Sequence, residues 1–208
     1  MIRLKDVSLV AFDCDGVLFD TARSNRAYYN DILNHFGRPS LSPEQFAYVH
    51  MHTVDESLGY LFEDKAKLAD VDAYRKTMNY ADFLKLMKLE PALIPLMNKI
   101  RPQIKTAVAT NRSNMVNGLL EEFGLNGYFD LVMTSTDVKL PKPNPDLLLK
   151  ILEHFQIEAH QAIYVGDSHL DELAATSAGI ALVAYRNPRL STAYHIDSLK
   201  ELETFLGV

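Results

Sequence analysis

The stretch Val7-Ser8-Leu9-Val10-Ala11-Phe12, cut off by Asp13-Cys14-Asp15-Gly16, decides the fold. It is a short apolar run rich in β-formers that ends abruptly in carboxylates and a glycine, the pattern of a buried strand running into a loop. The same pattern returns at Ile104-Lys105-Thr106-Ala107-Val108-Ala109, Asp130-Leu131-Val132-Met133-Thr134, Ala162-Ile163-Tyr164-Val165 and Ala181-Leu182-Val183-Ala184-Tyr185. Helix-like stretches lie between these runs. Residues 114–123 stop at Gly124, Asn144-Pro145-Asp146 predicts a side-chain N-cap for residues 147–155, and residues 169–177 end near Gly179. Strands alternating with helices imply right-handed crossovers and an α/β fold, a parallel sheet with helices on both faces.

Residues 19–90 break that rhythm. The stretches 22–36, 43–49, 54–62 and 65–89 have helical spacing and little strand character, so they predict an inserted α-helical cap. Pro91 and Pro95 mark the return to the sheet domain. The expected division is therefore a catalytic core of residues 1–18 and 91–208 and a helical cap of residues 19–90. The cap crossings fall near Phe19-Asp20-Thr21 and Leu89-Glu90-Pro91, which would let it close over the strand ends, with Arg23, His52 and Arg75 as candidates to touch a substrate.

In parallel α/β sheets, ligands bind beyond the carboxyl ends of the strands. The first run ends in Asp13 and Asp15, the second in Thr110-Asn111, and the fourth in Gly166-Asp167 with Asp171 four residues on; Lys142 follows the third. Carboxylates gathered at one edge repel each other and are costly to desolvate, and a divalent cation resolves the conflict. Magnesium takes hard oxygen ligands and binds through one or two carboxylates plus substrate phosphate. Asp13 and Asp167 are the expected carboxylate ligands of Mg2+, Asp15 would offer its backbone carbonyl, and Asp171 would bind through water or hold Lys142. Asp13 could then attack phosphorus and Asp15 could transfer protons. Thr110, Asn111 and Lys142 would bind and stabilise the phosphoryl group, the first and last through their side chains and Asn111 through backbone N–H groups.

The rest of the sequence sets bounds on this reading. With 208 residues, 48% hydrophobic and 23% charged, the chain has the balance of one globular domain carrying an insertion, and disorder does not fit. A net charge of −6 argues against a nucleic-acid partner. No apolar run approaches the roughly 20 residues of a membrane helix. The run after Met1-Ile2-Arg3-Leu4-Lys5-Asp6 is shorter than the ~7–15 residue apolar core of a secretory signal. With a single cysteine, Cys14, expected as a buried small hydrophobe between the two aspartates, the expected location is cytoplasmic. His50-x-His52 is not read as a metal pair, because residues i and i+2 of a helix do not face one way.

Asp13-x-Asp15-Gly16-Val17-Leu18-x-Asp20, the strand ending in Thr110-Asn111, Lys142-Pro143-x-Pro145 and Gly166-Asp167-Ser168-x-x-Asp171 together resemble the four motifs of the haloacid dehalogenase-like hydrolase superfamily, in order and at the expected strand ends. The resemblance implies a Rossmann-like core, an aspartate nucleophile, magnesium and small phosphorylated metabolites as substrates. Asp15, which the dehalogenases lack, points to phosphoryl transfer. Within the superfamily the chain resembles phosphoglycolate phosphatase-type members. The β-phosphoglucomutase-like members are the alternative, although they carry a histidine where this chain has Asn25 and Glu-Asp where it has Gly166-Asp167. A binding protein without turnover on the same fold is the reading from a different class.

Overall fold

The computed structural model describes residues 7–113 and 116–208; residues 1–6, and Asn114 and Met115 at the start of one expected helix, lie outside the described residues. The chain divides into two compact units: the described part of Met1–Phe19 together with Leu89–Val208, and Asp20–Lys88.

The first unit is built on a parallel six-stranded sheet. In chain order the strands are β1 (Leu9–Phe12), two two-residue strands β2 (Phe19–Asp20) and β3 (Lys88–Leu89) that pair with each other, then β4 (Lys105–Thr110), β5 (Leu131–Thr134), β6 (Ala162–Gly166), β7 (Ala181–Tyr185) and β8 (Tyr194–Ile196). The main sheet has the order β5-β4-β1-β6-β7-β8. All four residues of β1 are buried, as a strand covered on both faces requires. Leu9 and Ala11 pack with Ala107, Ala109, Tyr164 and Ala184 against helices α8 (Asp146–Phe155) and α9 (His169–Ala178), and by alternation Val10 and Phe12 are buried on the opposite face.

Register brings the chemistry to one edge. Phe12 pairs with Val108 on one side and Val165 on the other, so Asp13 leaves β1 beside Gly166, and Thr110 ends β4 two residues past Val108. The Asp13 N–H continues the ladder by donating to the Val165 carbonyl at 2.8 Å. The fold is therefore the parallel α/β sheet that the alternation of runs predicts, and it is Rossmann-like, as the family resemblance implies.

Two local expectations are corrected, and one strand is added. The N-cap of α8 is Pro145 and receives no side-chain hydrogen bond; Asn144 instead donates its amide to the Pro141 carbonyl at 3.1 Å. A helix α6 (Leu93–Ile100) forms where Pro95 suggested only a return crossing, because proline within the first helical turn displaces no intrahelical donor. The strand β8 has a single fully buried side chain, Ile196, too weak a pattern to register in the sequence.

The second unit is helical: α1 (Ala22–His35), α2 (Pro43–Met51), α3 (Val54–Leu61), α4 (Lys65–Arg75) and α5 (Ala81–Leu84). Its core gathers Tyr29, Ile32, Leu33, Val49, Leu58, Leu61, Phe62 and Val71. Ser42 and Thr53 each form a capping box with a residue three places on, Gln45 and Glu56, which fixes where α2 and α3 begin. The single helix expected over residues 65–89 is instead α4, a turn and α5, followed by β3. The remaining described helices are α7 (Val116–Glu122) and α10 (Leu202–Leu206), both in the first unit.

Candidate active site

Asp13, Asp15, Thr110, Asn111, Lys142, Asp167 and Asp171 all stand at or just past the carboxyl edge of the sheet. Lys142 is buried, and its ammonium donates to Asp13 Oδ1 at 2.7 Å, Asp171 Oδ1 at 2.7 Å and the Tyr164 hydroxyl at 2.9 Å. Three acceptors match the three N–H donors of an ammonium. Burial works against the charge of Lys142, but the two carboxylates outweigh it and raise its pKa.

Asp171 has both oxygens committed. Its Oδ1 also accepts from the Tyr164 hydroxyl at 2.7 Å, while Oδ2 accepts from the Ser168 N–H at 3.0 Å, the Ser168 hydroxyl at 2.6 Å and the Asp167 N–H at 3.2 Å. Ser168-x-x-Asp171 is thus the capping box that starts α9, and the capping carboxylate is the one that grips Lys142. Burial works against ionisation of Asp171, yet Lys142 and these donors hold its carboxyl below the usual range.

Asp13 and Asp167 are shifted the other way. Burial pushes Asp13 up to about 7, with Asp171 and Asp15 adding to the rise against the pull of Lys142. Asp167 is raised well above its ordinary value, first by burial and then by Asp171 and Asp13. Among the described residues no hydrogen-bond donor or cation is paired with the Asp167 carboxylate. One oxygen from each of Asp13, Asp167 and Asp171 lies within 4.8 Å of the others. A hard-oxygen set short of positive charge, with one carboxylate lacking any donor, fits a magnesium ion.

Glycine is required twice here. A Cβ on Gly16, which has φ +85°, would stand 2.1 Å from Asp167 Oδ2, and one on Gly166 would stand 2.5 Å from the Asp171 Cβ. The Asp-x-Asp-Gly and Gly-Asp pairs are therefore steric conditions for the carboxylates to converge.

Asn111 meets the backbone of Lys142 with its side-chain amide. The amide donates to the Lys142 carbonyl at 2.9 Å and accepts from the Lys142 N–H at 2.9 Å, which ties the end of β4 to the loop carrying the lysine. Thr110 is buried, and its hydroxyl accepts from the Arg112 N–H at 3.1 Å.

Two residues absent from the sequence reading belong to this site. Tyr164 lies inside an apolar strand run, where nothing in the pattern marks its hydroxyl. Arg112, directly after Thr110-Asn111, donates from Nε to Asp15 Oδ2 at 2.7 Å and from a terminal nitrogen to Asp15 Oδ1 at 2.8 Å. A cation one place beyond a strand-end motif was the signal available.

The remaining candidates have partners of their own or none of the site's chemistry. His50 Nδ1 meets the Asn25 amide at 3.0 Å, and His52 stacks on Tyr48 with its Nδ1 2.9 Å from the Tyr48 carbonyl, so the two histidines take separate partners. Arg75 pairs with Asp72 at 2.6 Å, and Arg23 is exposed. Cys14 is buried, and burial raises its thiol pKa.

Comparison with known proteins shows the family. A family model described as haloacid dehalogenase-like hydrolase matches residues 10–185. A phosphoglycolate phosphatase of Vibrio parahaemolyticus is 29% identical over 189 residues, covering 85% of this chain and 82% of that protein. A pyrophosphatase of Bacillus velezensis is 29% identical over 189 residues, covering 84% and 81%. The crystal structure of a hydrolase of subfamily IA from Geobacter sulfurreducens is 36% identical, covers 97% of each chain and superposes with a TM-score of 0.79.

Proposed function

The chain belongs to the haloacid dehalogenase-like hydrolases and is a phosphatase, and we propose that it hydrolyses a small phosphomonoester with Mg2+ through an aspartyl-phosphate on Asp13. The observation that carries this reading is the Asp13 carboxylate, 2.7 Å from a buried lysine and grouped with Asp167 and Asp171. The relatives named phosphoglycolate phosphatase and pyrophosphatase support a small, soluble, phosphorylated substrate.

Asp13 and Asp167 would hold the ion through carboxylate oxygens and Asp15 through its backbone carbonyl. Asp171, with both oxygens engaged, braces Lys142 and the start of α9. When bound, a divalent cation offsets the crowded negative charge and polarises the phosphoryl oxygens. The Asp13 carboxylate forms a bond to phosphorus as the ester P–O bond breaks, and the electron pair stays on the leaving oxygen. Asp15, entering the cycle protonated, gives that oxygen its proton and is left as a carboxylate. Asp15 then takes a proton from a water molecule, the resulting oxygen adds to phosphorus, and the bond from phosphorus to Asp13 breaks. Inorganic phosphate leaves, with Asp13 again a carboxylate and Asp15 again protonated. Lys142 favours the ionised form of Asp13 and aims it, while Thr110 and backbone N–H groups near Cys14 and Asn111 receive the phosphoryl oxygens.

A cytoplasmic setting suits the single buried cysteine. Among the described residues no helix is long and apolar enough to cross a membrane. The test is phosphate release, as kcat/KM, from a panel of phosphorylated metabolites with magnesium. Release from at least one of them supports the reading; isomerisation of a sugar phosphate without phosphate release would instead mark a mutase.

A further inference from the structure

Asp15 has one task in the proposed cycle, to hand a proton to the leaving oxygen and later take one back. In this structure both of its oxygens are held by the guanidinium of Arg112, at 2.7 and 2.8 Å, with the two side chains only 13% and 15% exposed. An ionised carboxylate clamped at both oxygens by a guanidinium carries no proton to give and is aimed at Arg112 rather than at a substrate. The pair must therefore part, at least on one side, in each turnover.

A largely desolvated guanidinium gives up a carboxylate at a high cost unless another anion replaces it. Its planar fork matches a carboxylate or a phosphate equally well. The backbone of Arg112 is fixed while this happens. Its N–H donates to the Thr110 hydroxyl at 3.1 Å, and its carbonyl accepts from the Ser135 N–H at 3.0 Å and the Ser135 hydroxyl at 3.1 Å. The side chain alone is left to change partner, from a base one residue past the strand-end pair Thr110-Asn111.

Building on the phosphatase reading, we infer that Arg112 is a specificity residue that exchanges Asp15 for a second anionic group on the leaving part of the substrate, so that the site selects phosphoesters whose leaving group is itself a carboxylate or a phosphate. The second anion keeps Arg112 neutralised while Asp15 turns to the leaving oxygen. An uncharged leaving group offers no such replacement, and the pair stays closed for more of the time.

The experiment compares kcat/KM for phosphoglycolate, pyrophosphate and ethyl phosphate in the wild type, Arg112→Lys and Arg112→Ala, together with inhibition by phosphonoacetate and ethylphosphonate. The wild type should bind phosphonoacetate more tightly than ethylphosphonate and prefer the two anionic substrates. A preference confined to phosphoglycolate or to pyrophosphate identifies the anion as carboxylate or phosphate and supports the inference equally. Arg112→Ala should lose about 10- to 100-fold more on the anionic substrates than on ethyl phosphate, the usual worth of a charged hydrogen bond, largely through KM. Arg112→Lys, which keeps the charge without the fork, should fall between. Equal losses on all three substrates would make Arg112 a mere orienter of Asp15 and overturn the inference. So would a wild type that binds the two phosphonates equally, whatever the variants do. Failure of the wild type to release phosphate from any phosphoester would overturn the phosphatase reading, and this inference with it.

Discussion

The ammonium of Lys142 stands 2.7 Å from the carboxylate of Asp13, and its other donors go to Asp171 and Tyr164, so the proposed nucleophile is one corner of a buried network. Taking away one partner of a buried pair leaves uncompensated charge and costs about 3–5 kcal/mol. Lys142→Ala should therefore lower both stability, by an amount in that range in urea unfolding, and kcat/KM. If both are unchanged, Lys142 is not the brace described.

Asp15→Asn should fold but lose about 10²–10⁴ of its rate on alkyl phosphates, the usual worth of general acid–base catalysis. The loss should be smaller on p-nitrophenyl phosphate, whose leaving oxygen needs little help from an acid. Equal losses on both substrates count against the proton-transfer role.

Chelation with EDTA should stop turnover, and magnesium should restore it better than calcium, whose larger and looser shell suits the site less. Protons compete with the metal here. Since burial raises Asp13 to about 7, the metal-free site holds a proton below that pH, and binding an ion must expel it. Magnesium affinity should tighten by ~tenfold per pH unit as pH rises towards 7, for each proton displaced. A flat dependence between pH 5 and pH 8, measured by titration of the apoprotein, contradicts the assignment of Asp13 as a ligand.

Gly16→Ala tests the steric condition. Its left-handed backbone costs an alanine about 1–2 kcal/mol, and the new methyl would meet Asp167 Oδ2 at 2.1 Å. Asp167 must then move. The concentration of magnesium needed for half-maximal activity should rise well beyond what the small loss of stability explains, and an unchanged value would show that Asp167 does not hold the ion.

The sheet was legible because each of its central strands is a short apolar run stopped by a polar pair, and those same stops are the strand-end residues of the site. Asp13, Asp15, Thr110 and Asp167 could be named for that reason, and Lys142 and Asp171 by their place shortly after such stops. What could not be read depended on partners distant in sequence. Tyr164 looks like any core aromatic until its hydroxyl is seen against Lys142 and Asp171. Asn111 looked like a contributor of backbone N–H groups, while its amide is spent on the Lys142 backbone. Arg112 is an ordinary charged residue in the sequence, whereas in the structure it closes on Asp15, 97 positions away. The break between α4 and α5 escaped notice because no glycine or proline marks it.

The central claim is that Asp13 carries the phosphoryl group. The direct measurement is to quench wild type and Asp13→Asn in acid during turnover with magnesium and to map the phosphorylated peptide by mass spectrometry. The adduct should lie on the peptide containing Asp13 in the wild type and be absent from a folded, inactive Asp13→Asn. An adduct on another residue, or a folded Asp13→Asn variant that turns over near the wild-type rate, would contradict the account.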